Sequence, residues 1–439
     1  MNKVKTHILG AGMTGLSAGW ISGLPVYEAQ NVPGGICSSY YLYPGEKHRL
    51  YVSPEDGEAY RFEIGGGHWI FGGDPAVLKF IRSLAPVKFY SRNSAVYFSK
   101  KGLYVPYPIQ NHLRYLGKEI AAKVVGEIVV NSSKSGKPRT MADWLEQNFG
   151  KTLFELFFAP FHELYTAGLW TRVAPQDAYK SPVDMPLVIQ GAFNKVRSPV
   201  GYNVTYVYPK EGLNTLAQRM AKRCKVFYQK QVVRIDVRRK EVIFSDGSGI
   251  KYENLISTLP LNKVTEMAGV RVDEEAGIYT SVLVLNIGAR KGSKCPNEHW
   301  LYIPDSDSHF HRVGFYSNVD VSFLPNSSRN ESDRVSIYVE RAYRNGEKPS
   351  DEEIETYSKS VIKELQAWKF IEEVEVVDPT WIEVAYTWLP PDSRWKEKTL
   401  RELEKYGIYQ VGRYGRWIFQ GIADSIRDGF FIGAAIGSL

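Results

Sequence analysis

The sequence predicts an α/β fold made of a discontinuous parallel-sheet domain, a helical insertion and an antiparallel-sheet domain. Three observations lead to this prediction. A short apolar strand, a glycine-rich turn and a helix follow one another at residues 4–18. A second strand of the same apolar kind comes at residues 254–260, and alternating strands occupy much of residues 280–341. Because the first pattern returns after a long interval, we expect the domain that contains it to be interrupted.

The composition is that of an ordinary globular protein. The 439 residues suit two or three domains, and 44% are hydrophobic while 23% are charged. The net charge of +7 is not gathered into a basic segment, which argues against nucleic acid as a partner. No apolar run approaches the roughly 18 residues of a membrane span, and the chain enters its first strand without a signal peptide. We therefore expect no membrane association and a cytoplasmic location.

The cysteines give no sign of a metal site. Cys37, Cys224 and Cys295 lie far apart and lack the spacing of metal ligands. We therefore expect reduced thiols and no bound metal.

The first glycine-rich turn has the GxGxxG pattern of a dinucleotide-binding site. Gly10 permits a tight turn, Gly12 lets the backbone approach a pyrophosphate, and Gly15 lets the helix pack on the strand. The phosphates would lie at the positive end of that helix. A lone GxGxxG is weak because many folds contain glycine-rich turns, but here it follows a strand and opens a helix. The pattern predicts a Rossmann-type domain.

Two further features follow at the expected interval. Glu28 closes a short second strand where a carboxylate can accept hydrogen bonds from ribose hydroxyls, which favours an unphosphorylated ribose. Gly34 and Gly35 form a second glycine turn, which NAD-binding domains normally lack.

The glycines at residues 65–67 lie between apolar segments, so their backbone is expected to pass close to something flat or to flex. His68, which ends this run, is either a polar loop residue or a group held against a cofactor. Residues 104–111 form a stiff loop, since two prolines restrict the residues before them.

The rest of the chain suggests three domains. Helical periodicity fills residues 74–84, 114–130 and 141–164, and a final helix is expected at residues 425–436 after a glycine-ended strand at 407–415. We predict the nucleotide-binding domain at residues 1–73, 195–270 and 390–439. The mainly helical insertion is predicted at 74–194 and the antiparallel-sheet domain at 271–389.

These features resemble the FAD proteins of the amine oxidase and protoporphyrinogen oxidase type. The resemblance rests on the N-terminal fingerprint with Glu28, the second glycine turn, the 254–260 strand and the C-terminal glycine strand. It implies FAD as the cofactor, and it indicates the fold without the reaction.

Several internal stretches resemble a narrower family, the UDP-galactopyranose mutases of eukaryotic type. The matching segments occur in that family's order over nearly the whole chain, at residues 66–71, 105–111, 172–174, 203–209, 300–302, 310–318 and 412–417. The resemblance implies an isomerase of carbohydrate biosynthesis. It would interconvert the pyranose and furanose forms of a nucleotide sugar such as UDP-galactose, whose furanose form contains galactofuranose. N5 of reduced FAD would form a covalent adduct with the sugar without net redox. NADPH or NADH would reduce the flavin beforehand.

The same resemblance implies a set of site residues. Arg312 and Arg413 would hold the diphosphate, which suits the planar guanidinium group, and His68 would lie beside the flavin, where its backbone carbonyl can respond to protonation at N5. These three are the predicted catalytic residues. The predicted cofactor-binding residues are Gly10, Gly12, Thr14, Gly15, Glu28, Gly34, Gly35, Gly66, Gly67, Val233, Gly412, Asp424 and Ser425. The predicted substrate-binding residues are Arg92, Tyr107, Gln110, Arg172, Asn203, Tyr302, Arg312, Tyr386, Arg413 and Phe419.

Within that set, Tyr107 and Gln110 would hold the base, with Arg172 and Asn203 nearby, while Tyr302 and Tyr386 would donate to the diphosphate. Each assignment has a plainer alternative. Arginines in sheets commonly form surface ion pairs, and Pro-Tyr-Pro loops are commonly structural corners.

The chain departs from the mutase pattern at substrate contacts more than at FAD contacts. Phe419 replaces a tyrosine at the diphosphate, and no asparagine matches around Ala423 in a loop about two residues shorter by our alignment of motifs. Ile109 and His162 replace an aromatic residue and an asparagine near the base. The base could therefore differ from uracil.

Three functions remain open at the sequence level. The first is the reduced-flavin mutase. The second is an FAD oxidase or dehydrogenase acting on an amine or a ring carbon, and the third is a non-catalytic FAD or nucleotide-sugar binding protein.

Overall fold

The computed structural model describes residues 5–72, 74–132, 136–176, 183–195 and 204–437. The α-helices of these residues are α1 (Met13–Ser22), α2 (Pro75–Leu84), α3 (Lys118–Ser132), α4 (Met141–Leu153), α5 (Ala159–Tyr165), α6 (Met185–Phe193), α7 (Leu213–Ala221), α8 (Leu261–Ala268), α9 (Tyr316–Val319), α10 (Asp351–Ala367), α11 (Trp395–Lys405), α12 (Gly412–Gly415) and α13 (Ile422–Gly437). The strands are β1 (Thr6–Leu9), β2 (Val26–Tyr27), β3 (Ser39–Leu42), β4 (Tyr60–Glu63), β5 (Ile70–Phe71), β6 (Val87–Ser91), β7 (Ser94–Phe98), β8 (Leu103–Pro106), β9 (Thr205–Pro209), β10 (Val226–Phe227), β11 (Val232–Asp236), β12 (Glu241–Phe244), β13 (Gly249–Lys251), β14 (Asn254–Ser257), β15 (Ile278–Lys291), β16 (Trp300–Tyr302), β17 (Arg312–Phe315), β18 (Arg334–Arg344), β19 (Ile371–Trp388) and β20 (Ile408–Gln410).

A five-stranded parallel sheet brings together distant parts of the chain. Its strand order is β10-β2-β1-β14-β20, and every neighbouring pair is parallel. The central strands are apolar because helices cover the sheet, and Ile8 and Ile256, which pair in register, are fully buried. This confirms the predicted α/β fold, in which strands at residues 254–257 and 408–410 complete a sheet begun at residue 6.

The C-terminal helix α13 packs closely on α1 through two glycines. A Cβ atom on Gly429 would lie 2.3 Å from the carbonyl oxygen of Thr14, and one on Gly433 would lie 2.7 Å from that of Ala18. The helix begins at Ile422 and not at Ser425 as predicted. Ser425 lies in its first turn and donates its backbone N–H to Gly421 O over 3.0 Å.

A seven-stranded sheet forms the second layer, with the strand order β19-β15-β18-β17-β16-β7-β8. All neighbouring pairs are antiparallel except β16 and β7. The long strand β19 has no counterpart in the sequence prediction. Its pairing with β15 shifts register at three points and it contains Pro379, so its buried residues do not alternate regularly.

The helices α3 to α6 form a separate apolar cluster beside the large sheet. The two strands β7 and β8, which lie within the predicted helical segment, join that sheet. The predicted domain boundaries stay a prediction. Between α4 and α5 the helix widens into a π-helical turn at Phe154–Phe158.

Among the described helices, none has the length and apolar character needed to cross a bilayer. The described residues also contain no group of three or more side chains suited to hold a metal ion.

Candidate active site

A cavity is lined by residues of the seven-stranded sheet, of α4 and α5, and of the segment 413–427 that contains α12 and the start of α13. It has a volume of about 510 Å³. Eight predicted site residues line it: His68, Arg92, Tyr107, Tyr302, Arg312, Tyr386, Arg413 and Phe419. Gly67 and Asp424, predicted for the cofactor, also line it. Strands far apart in sequence supply these side chains, since β17 carries Arg312 whereas α12 carries Arg413.

Two glycines of the first turn, Gly10 and Gly15, pack closely against other protein atoms. Gly10 has a φ of 96°, and a Cβ atom there would lie 2.3 Å from Thr258 Oγ1. A Cβ atom on Gly15 would lie 1.9 Å from the carbonyl oxygen of Gly10. Real Cβ atoms do not approach this closely, so both positions require glycine.

The same turn is open where a ligand would approach. Chain neighbours aside, no atom of the described residues lies within 4 Å of a Cβ atom built on Gly12, and for Gly35 the one such atom is Gly12 Cα at 3.8 Å. The Gly34 N–H donates to Ala11 O over 2.9 Å and ties the second glycine turn to the first. Gly12 and Gly35 thus form an open cradle at the N-terminus of α1, which side chains at these positions would fill.

Glu28 lies beside this cradle and is buried. Its carboxylate accepts backbone N–H groups from Ala11 over 2.7 Å and from Gln30 over 2.9 Å. Burial raises the pKa of Glu28, while these donors oppose the rise. Each carboxylate oxygen has a second lone pair, so Glu28 can still accept ribose hydroxyls.

Gly412 connects the cradle to the cavity. Its φ is 74°, and a Cβ atom there would lie 2.6 Å from Thr14 Oγ1 in the first turn of α1. Asp424 and Ser425 lie at the start of α13, where Asp424 pairs with Arg427 over 3.0 Å. Val233 lies on β11 of the three-stranded sheet with a relative exposure of 48%, three residues after Lys230, whose N–H donates to Glu28 O over 2.8 Å.

Side chains from β18 pack against the glycine run before His68. A Cβ atom on Gly66 would lie 2.9 Å from Glu340 Oε1, and one on Gly67 would lie 2.2 Å from the Tyr338 hydroxyl. His68 Nδ1 lies 3.4 Å from Gly66 O. Burial, followed by the charge of Arg413, lowers the pKa of His68 to about 4, so its imidazole is neutral at pH 7.

Arg312 is compensated by a buried acid. Its Nη1 lies 3.4 Å from Glu340 Oε1, and its guanidinium lies 5.6 Å from the centre of the Tyr302 ring. Burial lowers the pKa of Arg312, but Glu340 together with the neighbouring tyrosines more than reverses this, so the group stays charged. Its Nε is buried and has no hydrogen-bond partner in the part of the chain that the structure describes.

Arg413 is held differently, by carbonyl oxygens. It donates to Gln420 O over 3.1 Å and to Ala385 O over 3.0 Å. Its guanidinium lies 4.6 Å from the centre of the Phe419 ring and 5.5 Å from that of Tyr386. Within the described part of the chain, no carboxylate lies at ion-pair distance from Arg413. The cavity therefore holds a guanidinium charge that no acid of these residues neutralises.

A neighbouring group connects the predicted base loop to Tyr302. The rings of Tyr107 and Tyr302 lie 4.5 Å apart, and Arg92 lies 5.6 Å from the centre of the Tyr107 ring. Arg92 also donates to Tyr107 O over 3.3 Å.

Two predicted substrate residues, Gln110 and Arg172, are absent from the wall of this cavity. Gln110 has a relative exposure of 1% and is absent from the cavity wall. Arg172 lines a second, polar cavity of about 460 Å³ with Arg139 and Asp143. Asn203 lies outside the described residues.

Comparison with known proteins now bears on this site. The sequence profile of the flavin-containing amine oxidoreductases matches residues 16–431. The chain belongs to the flavin-containing amine oxidoreductase family. This membership implies FAD, and the open cradle with its nearby Glu28 fits such a dinucleotide.

Solved structures share the fold of this family member. A reduced UDP-galactopyranose mutase superposes with a TM-score of 0.81 at 22% identity, covering 99% of this chain and 95% of that chain. A putative protoporphyrinogen oxidase from Exiguobacterium sp. 255-15 gives a TM-score of 0.72 at 14% identity, covering 100% and 99%. A putrescine oxidase bound to putrescine gives 0.59 at 14% identity, covering 99% of each chain. At these identities the likeness shows the fold alone.

Two parts of this flavoprotein's cavity escaped sequence reasoning. One is Glu340 with Tyr338, whose only signal is a glutamate within an apolar strand. The other is an aromatic wall whose residues look like ordinary helix core. We call this wall the aromatic compartment, and it consists of Trp144, Phe157, Phe158, Phe161, Tyr165 and Trp388. Arg312, Arg413, Tyr302, Tyr386 and Phe419 form the cationic half of the cavity.

Proposed function

We propose that this protein is a flavin-dependent mutase that interconverts the pyranose and furanose forms of a nucleotide sugar of the UDP-galactose type. The observation that carries the proposal is the Arg413 guanidinium, which faces the cavity with no carboxylate of the described residues at ion-pair distance. Arg413 is partly buried, and a partly buried charge without an ion-pair partner favours an anionic ligand. A diphosphate supplies that charge.

The position of Arg413 favours a diphosphate close to the flavin. It follows Gly412, which touches Thr14 at the beginning of the nucleotide-binding helix. Arg312 lies in the same cavity. The positive charges of both arginines lower the pKa of Tyr386 and the pKa of His68, so both lie near these side chains. Two planar guanidinium groups can bind phosphate oxygens with several donors each.

The proposed mechanism divides the work between the cofactor and the chain. Reduced FAD, when bound, supplies a nucleophilic N5, and it needs NADPH or NADH as an external reductant only to reach that state. Arg312 and Arg413 bind the diphosphate and stabilise the charge that grows on it as it leaves the sugar. Burial raises the pKa of Tyr386, so its hydroxyl keeps its proton and can donate to the leaving group. The neutral His68 adds no further positive charge.

The test uses FAD-loaded protein and UDP-galactopyranose under anaerobic conditions. The dithionite-reduced protein should form UDP-galactofuranose, measured by chromatography, while the flavin spectrum stays reduced. The oxidised protein is the control and should form none. Absence of furanose from the reduced protein would refute the proposal.

A second candidate function is an FAD-dependent oxidoreductase of the amine oxidase or protoporphyrinogen oxidase type. The aromatic compartment favours it, because such enzymes bind apolar or amine substrates between aromatic rings. The positive charge of Arg413 argues against an amine oxidase, since it would repel a protonated amine substrate. Bleaching of the oxidised flavin by an amine or a ring substrate, without sugar isomerisation, would favour this function.

A further inference from the structure

The aromatic compartment has no task in the mechanism above. It continues directly from the cationic half, since the rings of Phe161 and Tyr302 lie 5.5 Å apart and those of Tyr165 and Tyr386 lie 4.9 Å apart. A ligand held by its diphosphate in the cationic half would therefore extend its far end between aromatic rings. Such walls suit a flat ring.

His162 is the polar group placed among these rings. It lies on α5, directly after the π-helical turn, and it lines the cavity. Its ring centre lies 5.4 Å from that of Phe161 and 6.1 Å from that of Phe158.

One hydrogen bond fixes the tautomer of His162. Its Nδ1 lies 2.7 Å from Phe158 O, and a carbonyl oxygen can only accept, so Nδ1 carries the hydrogen. Nε2 then has a lone pair, and no described residue bonds to it. Burial lowers the pKa of His162 to about 4, which keeps the ring neutral at pH 7. His162 thus presents an obligatory hydrogen-bond acceptor to the cavity.

We propose that His162 is a specificity-determining residue that accepts a hydrogen bond from an N–H group on the ring at the far end of the substrate. This rests on the proposed function, in which the substrate is a nucleotide sugar. Uracil carries an N–H at its position 3, whereas cytosine has a lone pair at that position that would face the lone pair of Nε2. A methyl group at position 5 leaves this N–H intact and fits apolar walls. The base subsite should therefore accept uracil and 5-methyluracil and disfavour cytosine.

Calorimetric titration of the FAD-loaded, reduced protein tests this assignment. The ligands are UDP, 5-methyl-UDP, N3-methyl-UDP and CDP. The first two should bind within about threefold of each other, and the last two about tenfold more weakly, as one lost hydrogen bond predicts. Equal affinity for UDP and CDP would overturn the assignment.

Three variants distinguish base recognition by His162 from a purely structural role of this residue. His162→Phe should bring the affinities for UDP and CDP within about twofold, because the acceptor is gone. His162→Asn should improve CDP binding relative to the wild type, since an amide both donates and accepts. His299→Phe makes the same change at a buried histidine outside the cavity wall and should keep the wild-type ratio. An unchanged ratio in His162→Phe would overturn the proposal.

The failure of this inference differs from failure of the proposed function. If UDP and CDP both bind tightly and equally, only the role of His162 is refuted. If no nucleoside diphosphate binds to the FAD-loaded protein, the proposed function fails and this inference with it.

Discussion

The nucleotide-binding turn at residues 10–15 and the cationic half of the cavity are built in opposite ways. The turn depends on backbone that comes close to backbone, and its requirements are met by glycines adjacent in sequence. The cationic half depends on side chains from β16, β17, β19 and α12, which meet only after folding. Local sites of the first kind are visible in sequence motifs, whereas sites of the second kind require the tertiary structure.

The largest expected effect comes from two alanine variants in the turn. Gly15→Ala should prevent stable folding of the FAD-loaded protein, because its Cβ would lie 1.9 Å from Gly10 O. Gly12→Ala should leave the apoprotein's free energy of unfolding within about 0.5 kcal/mol of the wild type, since its Cβ meets no atom of the described residues within 4 Å beyond its chain neighbours. Gly12→Ala should nonetheless lose FAD. Thermal unfolding and flavin absorbance measure both effects, and normal FAD loading of Gly12→Ala would contradict the cradle.

The next largest effect is on the pH dependence of stability, and it comes from the His68 side chain in the cavity. The pKa of His68 is lowered from 6.5 to about 4 in the folded protein, so unfolding takes up a proton between these values. Stability is thus full above pH 6.5 and falls as the pH is lowered towards 4. Between pH 7 and pH 5, His68 should account for about 2 kcal/mol of lost unfolding free energy. Urea unfolding of His68→Asn should show that much less pH dependence.

The control for this measurement is His48→Asn, which removes an exposed histidine. Its pH dependence should match that of the wild type. An identical pH dependence for His68→Asn would show that the imidazole is not kept neutral by burial.

A smaller effect is expected for diphosphate binding. Arg413→Ala should raise the dissociation constant of UDP-galactose at least tenfold, the scale of a lost charged hydrogen bond. Arg416→Ala is the matched control, because Arg416 lies on the same turn but pairs with Asp428 over 3.5 Å. Fluorescence or calorimetric titration gives both constants. Unchanged binding by Arg413→Ala would remove this residue from the site.

The smallest effect is a gain. The Phe419 ring lies 4.6 Å from the Arg413 guanidinium, so Phe419→Tyr would place a hydroxyl donor near the proposed diphosphate site. We expect about threefold tighter binding of UDP, which is within the range of one neutral hydrogen bond. Titration of UDP measures it. Weaker binding would place the diphosphate elsewhere in the cavity.

Sequence reasoning recovered the elements with strong local signals. The helix predicted at residues 74–84 is α2, and the Asp74 side chain caps it by accepting the backbone N–H of Ala76. Sequence reasoning missed β19, because its bulges and Pro379 break the alternation of buried and exposed residues that identifies strands. The structure buries Gln110 and places Arg172 on a second cavity, and the substrate contacts of these two residues stay predictions.

The sequence alone determined the nucleotide-binding turn, Glu28 and the return of the parallel sheet, because glycine conformation and apolar strands are local properties. Only the tertiary structure decided that Arg312 has an acid partner while Arg413 has none among the described residues, and that the ring of His162 joins the same cavity. The physical reason is that charge compensation and cavity shape depend on which distant side chains meet, and no spacing along the chain encodes that meeting directly.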